Sequence, residues 1–237
     1  MFEAIFSGKT RVLDLAYAIS DKLVPWPSDK RWFEAEVNAT VEKVGYFTRS
    51  FWMLEHYGTH LDAPIHFPPG KTPVDQIPPK QFFGTAAVFD VRAESAADAD
   101  YQLPASMIRE WEKRHGQIPE GGIALLRTGW SSRWPDANRY RNQDEAGRMH
   151  FPGFSAEAVG LLIERKVSGI GCDTMSVDCG ASEKYAVHHL ALGAGLYHLE
   201  NLSDLSELPE SGAFLIVAPI KLEGGSGGPV RVFALLP

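Results

Sequence analysis

Apolar residues recur along the chain with two alternating periods, and the switches between them predict the elements. Residues 11–19, with Val12, Leu13, Leu15, Ala16 and Ile19 among polar neighbours, predict a first strand leaving into a loop. Residues 33–41 and 46–56 predict two strands of a sheet that ends in the segment 56–67, and the run Ala86-Ala87-Val88-Phe89-Asp90-Val91 predicts a buried strand. Helical spacing takes over at 104–113, where Pro104 sits in the first turn and Met107, Ile108 and Trp111 share a face. Ser155 is an N-cap residue ahead of the stripe Ala158, Val159, Leu162, Ile163, which Gly169 closes. A third helix is predicted over 183–193, closing at Gly193 or Gly195. Further strands are predicted at 123–126, 170–173, 196–202 and 230–235.

The connections carry their own signals. Residues 67–73 hold too many prolines for anything but a loop, and 93–101 is a small, polar, acidic surface connection. Residues 131–152 are Arg-rich with little apolar periodicity, so they form either a cover over a pocket or a solvated excursion. The Gly224-Gly225-Ser226-Gly227-Gly228-Pro229 run lacks the Lys and the following helix of a phosphate loop, and reads as a flexible turn before the last strand. Strand, helix, strand succession argues an α/β architecture, a mixed sheet flanked by helices, with sites at the carboxyl ends of strands. A chain of 237 residues fits one compact domain, 1–237.

Composition narrows the function. A formal net charge of -7 without clustered Lys and Arg argues against a nucleic-acid partner. No run approaches 18 apolar residues, and Met1 to Lys9 lacks a basic then apolar leader pattern, so neither membrane insertion nor export is signalled and the cytoplasm is expected. Cys172 and Cys179 alone cannot build a disulfide scaffold, and are expected as reduced thiols.

The chemistry gathers in His56-Tyr57-Gly58-Thr59-His60-Leu61-Asp62-Ala63-Pro64-Ile65-His66-Phe67. Imidazole and carboxylate are ligands that Zn²⁺ and its borderline neighbours accept, and Gly58 and Pro64 keep the segment from being a regular helix. His60 and Asp62, two apart in extended chain, point to one side, and a turn at Gly58 can bring His56 beside them. His66 lies close enough to serve the same pocket without being a ligand. In the second half, period two puts His198 and Glu200 on one face of the strand at 196–202, where so apolar a context leaves Glu200 wanting a cation or a donor.

The pattern H-x-G-T-H-x-D-x-P-x-H-F resembles the signature of the cyclase family of metal-dependent hydrolases, which includes bacterial kynurenine formamidases and isatin hydrolases. The resemblance extends through Val24-Pro25-Trp26-Pro27-Ser28-Asp29, where Ser28 replaces the more usual Gly, through Leu126 to Trp130, Asp173 to Asp178, His188-His189, Glu200-Asn201-Leu202 and the Gly224 to Arg231 tail. It implies a swivelling β/β/α-like fold. It also implies a divalent metal, Zn or Mn, with one or two ions per subunit: His56, His60 and Asp62 hold one, and Asp62 reaches a second held by His188 and Glu200. Isatin hydrolases depart from that second-half pattern and work with one metal, so His188 and Glu200 favour two. Family members are usually homodimers or larger.

The implied reaction is hydrolysis of a C–N amide bond in a small, aromatic formamide or cyclic amide or imide by metal-activated water, arylformamidase-like. His66 is the expected proton carrier to the leaving nitrogen. Trp26, Phe67 and Ser176 are the candidate substrate-binding residues, within an aromatic supply that also includes Trp32, Phe47 and Trp52. The alternatives are an isatin hydrolase-like or lactone-opening activity, and more distantly two other kinds of protein. A non-haem Fe(II) oxygenase would use His60, Asp62 and His198 as a triad, and a non-catalytic metal-binding protein would need no His66.

Overall fold

The computed structural model describes residues 5–237, and its centre is a sheet that closes on itself. In chain order, β1 (Val12–Asp14) is followed by the hairpin β2 (Phe33–Ala39) and β3 (Thr48–Met53), then by β4 (His60–Asp62) and β5 (Phe83–Asp90). There follow β6 (Gln102–Leu103), helix α1 (Ala105–His115), β7 (Ile123–Arg127), β8 (Gly153–Phe154), helix α2 (Ala156–Glu164) and β9 (Gly169–Cys172). Helix α3 (Ala186–Gly193), β10 (Tyr197–Glu200), β11 (Phe214–Pro219) and β12 (Gly227–Leu235) complete the chain. The strands run β12, β11, β5, β7, β9, β10, β4, and β4 pairs back onto β12, so seven strands form a barrel with β1 added beside β12. β5, β7, β9 and β10 are parallel, and the closing pairs on either side are antiparallel. The result is one α/β domain with a mixed sheet. The closure is what separates it from the flanked sheet expected from the sequence.

Alternation along the strands builds two cores, one on each side of the barrel wall. Leu61, Val88, Ile123, Leu125, Leu199, Leu215, Val217 and Val232 fill the interior. Ala87, Phe89, Ala124, Leu126, Ile170 and Cys172 face outward, and are covered by Ile108 and Trp111 of α1 and by Ala158, Val159 and Leu162 of α2. Because α1 and α2 have a wall to cover, their apolar stripes are buried as predicted, and Ser155 caps α2 by accepting from Ala158 N at 3.1 Å. Cys172 and Cys179 are free and buried.

Several expectations need correction. The first strand is only Val12–Asp14. Its continuation is pulled off the sheet where Tyr17 N donates to Thr59 Oγ1. Residues 93–101 are not a plain connection, because Arg92–Ala97 forms a short helix. The strands at 33–41 and 46–56 do not run into the central sheet: β2 and β3 pair only with each other, with no fully buried residue in either strand. The segment 131–152 is an ordered insert. Tyr140, Met149 and Phe151 pack with Val24, Trp130 and Met175, and the Tyr140 hydroxyl donates to Asp173 O and Asn201 Oδ1. It therefore buttresses the Trp26 loop from behind, where Arg141 donates to Pro25 O. Of the stretch Met1 to Lys9, residues 1–4 lie outside the described residues. Among the described residues no helix is long and apolar enough to cross a membrane.

Candidate metal centre

The site stands on the outer face of the barrel where β4 meets β10. The register pairs Asp62 with His198 and His60 with Glu200, while Leu61 and Leu199 between them point inward. Period two on two adjacent strands thus delivers four polar side chains to one face, as predicted for each strand separately. α3 lies over this face and adds His188. His56 arrives from the bend before β4, three residues beyond β3 rather than at a strand end.

Packing at the barrel seam explains the glycine run. The run Gly224 to Pro229, expected as a flexible turn, is a turn only at its start: β12 begins at Gly227 and pairs with β4 through Gly227, Gly228 and Pro229. A Cβ on Gly227 would collide with Leu61 O and would stand 2.6 Å from His56 Cε1, so glycine is what lets β12 approach β4 beneath the His56 ring.

Asp62 is the hub. Its Oδ1 lies 2.7 Å from His56 Nδ1 and 3.1 Å from His60 Nε2, while its Oδ2 faces His188 Nε2 and His198 Nδ1, each at 3.4 Å. Glu200 is divided in the same way, Oε2 lying 3.5 Å from His60 Nε2 and Oε1 3.4 Å from His188 Nε2. The ring orientations are imposed from outside the cluster. His60 Nδ1 bonds Gly58 O at 3.0 Å, and His56 Nε2 bonds Ser226 Oγ at 2.8 Å. His188 Nδ1 bonds Asp178 Oδ2 at 2.7 Å, and the same carboxylate accepts from Val187 N and His188 N, capping the start of α3. Asp178 therefore both caps α3 and aims His188 Nε2 at the cluster. Asp173 takes no part: its Oδ1 accepts from Thr128 N and Oγ1.

Burial and mutual charge set the protonation of the metal-free cluster. Burial lowers His60 and His188, yet the carboxylates beside them win: Asp62 and Glu200 hold His60 up at about 9, and Asp178, Asp62 and Glu200 hold His188 up at about 10. Burial opposes ionisation of Asp62, but His60 and His56 hold it well below the usual carboxylate range. Burial, reinforced by Asp62, pushes Glu200 up to about 7. His66 and His198 go the other way, to about 4, because burial is the main effect on each and neighbouring imidazolium charges add to it.

The residues present fit a divalent ion. Asp62 Oδ2 and both ring nitrogens of His198 are buried without a hydrogen-bond partner, and imidazole with carboxylate is a donor set for such an ion. Two groups of side chains offer donor atoms within 4.8 Å of one another: Asp62, His188, His198 and Glu200, all buried, and His56, Asp62 and His66. Of the five expected ligands, the structure gathers all in one cluster. It adds His198, which the sequence reading had connected only with an oxygenase-type triad.

The cluster floors a cavity of about 610 Å³ whose walls include Trp26, Phe67, Ser176, Met175 and Tyr185. All three candidate substrate-binding residues line it. His66 stacks on His56 with centroids 3.9 Å apart, and Phe67 lies against His188 at 4.5 Å. Trp32, Phe47 and Trp52 do not line it; Trp52 lies on the exposed hairpin under the Arg31 guanidinium. Tyr185, missed in the sequence, comes to the cavity because its left-handed backbone, φ 46°, starts α3 one residue later.

Comparison with known proteins agrees with this geometry. The chain is 33% identical to an isatin hydrolase of Roseibium aggregatum, over 98% of this chain and 94% of that one. It is 28% identical to a kynurenine formamidase of Salinibacter ruber, over 93% and 95%. The solved structure of isatin hydrolase A from Ralstonia solanacearum superposes with a TM-score of 0.91 at 37% identity, covering 100% of this chain and 95% of that one. The Cyclase family model matches residues 13–179, and the chain belongs to that family.

Proposed function

We propose that the protein is a metal-dependent hydrolase that opens the C–N bond of a small aromatic cyclic amide, with an aryl formamide as the second reading. The observation that carries it is the buried His and carboxylate cluster at the floor of a cavity with aromatic walls. The cyclic amide comes first because the isatin hydrolases share more identity with this chain, 33% and 37%, than the kynurenine formamidase at 28%. An oxygenase or a passive metal store gains no support from hydrolase relatives matched along the whole chain.

His56, His60, Asp62, His188 and Glu200 would hold the metal, Zn or Mn, at one or two ions per subunit. Bound there, a divalent ion supplies Lewis acidity to the amide carbonyl and lowers the pKa of water from 15.7 to about 7. Every other part of the reaction belongs to the chain. Trp26 and Phe67 hold the aromatic ring and keep bulk water out, and the Ser176 hydroxyl orients a polar edge of the substrate. His66, held neutral near pH 7, accepts a proton as water adds to the carbonyl carbon, then returns it to the nitrogen as the C–N bond breaks. The products are a carboxylic acid and a free amine, joined in one molecule when the amide was cyclic.

A cytoplasmic homo-oligomer, dimer or larger, completes the proposal. The β2–β3 hairpin supports it: Phe33, Ala35, Val37 and Phe51 share one face with little cover, and an isolated two-stranded hairpin is marginal in water. Light scattering on the purified protein tests the assembly. Hydrolysis of isatin and of N-formyl-L-kynurenine, with EDTA and after metal is restored, tests the chemistry. The expected result is chelator-sensitive turnover of isatin with kcat/KM above about 10⁴ M⁻¹s⁻¹. Preference for the formamide would favour the second reading, and turnover untouched by chelation would sink both.

A further inference from the structure

His198 is the imidazole in the cluster that neither the 56–67 motif nor the family pattern accounts for. Its side chain is fully buried on β10, two residues before Glu200. Among the described residues, five buried side-chain nitrogen or oxygen atoms lack a hydrogen-bond partner, and three of them stand together here: His198 Nδ1, His198 Nε2 and Asp62 Oδ2. A buried polar atom left unpaired loses its hydration without recompense, so three on adjoining residues demand a reason. A histidine kept only for packing would be paired, or replaced by leucine.

The spacing supplies the reason. Asp62 Oδ2 to His188 Nε2, His188 Nε2 to Glu200 Oε1, and Asp62 Oδ2 to His198 Nδ1 are each 3.4 Å. Good hydrogen bonds of these types lie at about 2.7–3.2 Å, so the separations are too long for that. Two donors placed roughly 2.0–2.1 Å from a common tetrahedral centre lie about 3.3–3.4 Å apart. The other half of the cluster differs: His56 Nδ1 and Asp62 Oδ1, 2.7 Å apart, are at hydrogen-bond distance, and His56 and His60 line the cavity, which His188 and Glu200 also reach but His198 and Asp62 do not.

We propose that His198 is the fourth protein ligand of the ion position formed by Asp62, His188 and Glu200. That position is then closed, all of its corners filled by the chain. The neighbouring position at His56, His60 and Asp62 Oδ1 is the one left with room for water and substrate. Closed four-ligand sites hold ions for structure, and open ones for chemistry. The inference rests on the metal-hydrolase reading, and assigns unequal duties to its two positions.

The test is His198→Leu, which matches the imidazole roughly in volume and removes both orphaned nitrogens, with His198→Gln as a second variant that keeps one donor. Wild type and variants are stripped of metal, reloaded with Zn²⁺ or Mn²⁺, and passed through a desalting column; ions per chain are counted by mass spectrometry, and affinity is read against a chromophoric chelator. The expected outcome is that His198→Leu retains one ion fewer, or loses at least about 10²-fold in the tighter constant, more than outer partners of metal ligands cost. His198→Gln falls between them. Metal-free His198→Leu is expected to melt no lower than metal-free wild type, whereas added metal raises its melting temperature less. A folded His198→Leu that keeps wild-type stoichiometry and affinity overturns the assignment while leaving the hydrolase reading standing. If His198→Leu does not fold, the same result with His198→Gln overturns it. A wild type that retains no ion overturns both.

Discussion

The two halves of the cluster on either side of Asp62 use the same side-chain types for different ends. On one side His56 and His66 stand half-buried in the cavity wall, ring against ring. On the other, His188, His198 and Glu200 are buried; Asp178 locks His188 and Val177 N donates to Glu200 Oε1 at 3.0 Å, while the ring nitrogens of His198 have no hydrogen-bond partner. The exposed half can exchange water, substrate and protons. The buried half meets the cavity only through His188 and Glu200. Burial, more than residue identity, separates the two sets of imidazoles, with His60 as buried as His188.

Asp62→Asn strikes both halves at once, and is expected to cost at least about 10³-fold in kcat/KM together with loss of bound metal. Near-normal ion content in that variant would mean that Asp62 does not join the halves. His66→Ala isolates the exposed half: ion content is expected to stay at wild type while the rate falls at least about 10²-fold. A fully active, metal-loaded His66→Ala would remove the proton carrier. Asp178→Asn isolates the buried half, since His188 loses the negative charge of its partner but no donor atom; metal affinity is expected to fall about 10–100-fold, with KM for substrate little changed once metal is saturating.

The smallest effect serves as a control distant from both. Burial raises Asp90, but hydrogen bonds from Arg92 and Arg127 outweigh it and hold its carboxyl down at about 2. A depressed carboxylate stabilises the fold above its unfolded value near 3.8, and that contribution fades as pH falls toward 2. Asp90→Asn is therefore expected to flatten the loss of stability between pH 4 and pH 2 in acid titrations, leaving ion retention at neutral pH unaltered. Altered ion retention would show that the cluster depends on a pair on β5 and β7, across β9 from β10.

The legible parts share a cause. Helices α1 and α2, the Ser155 cap and the turn of His60 and Asp62 to one side follow from period, capping chemistry and spacing within a few residues. The misread parts are those whose partners lie far away in the chain. The Gly224 to Pro229 run reads as a loose turn until β4 is beside it, and 131–152 reads equally as a cover or a solvated excursion until Tyr140 finds Asp173 and Asn201. β2 and β3 have the alternation of sheet strands, and nothing local says that their sheet contains only the two of them.

From its sequence alone this protein is determined to be an α/β chain with a cluster of candidate metal ligands at 56–67 and a second donor set near the end, because spacing of one or two turns of chain suffices to aim neighbouring side chains. The tertiary structure alone decides that Asp62 faces His198, that His60 faces Glu200, and that α3 brings His188 and its Asp178 partner over both. Those meetings depend on the register between β4 and β10 and on closure of the barrel through β12. A shift of β4 by one residue in that register would turn His60 and Asp62 inward among the leucines.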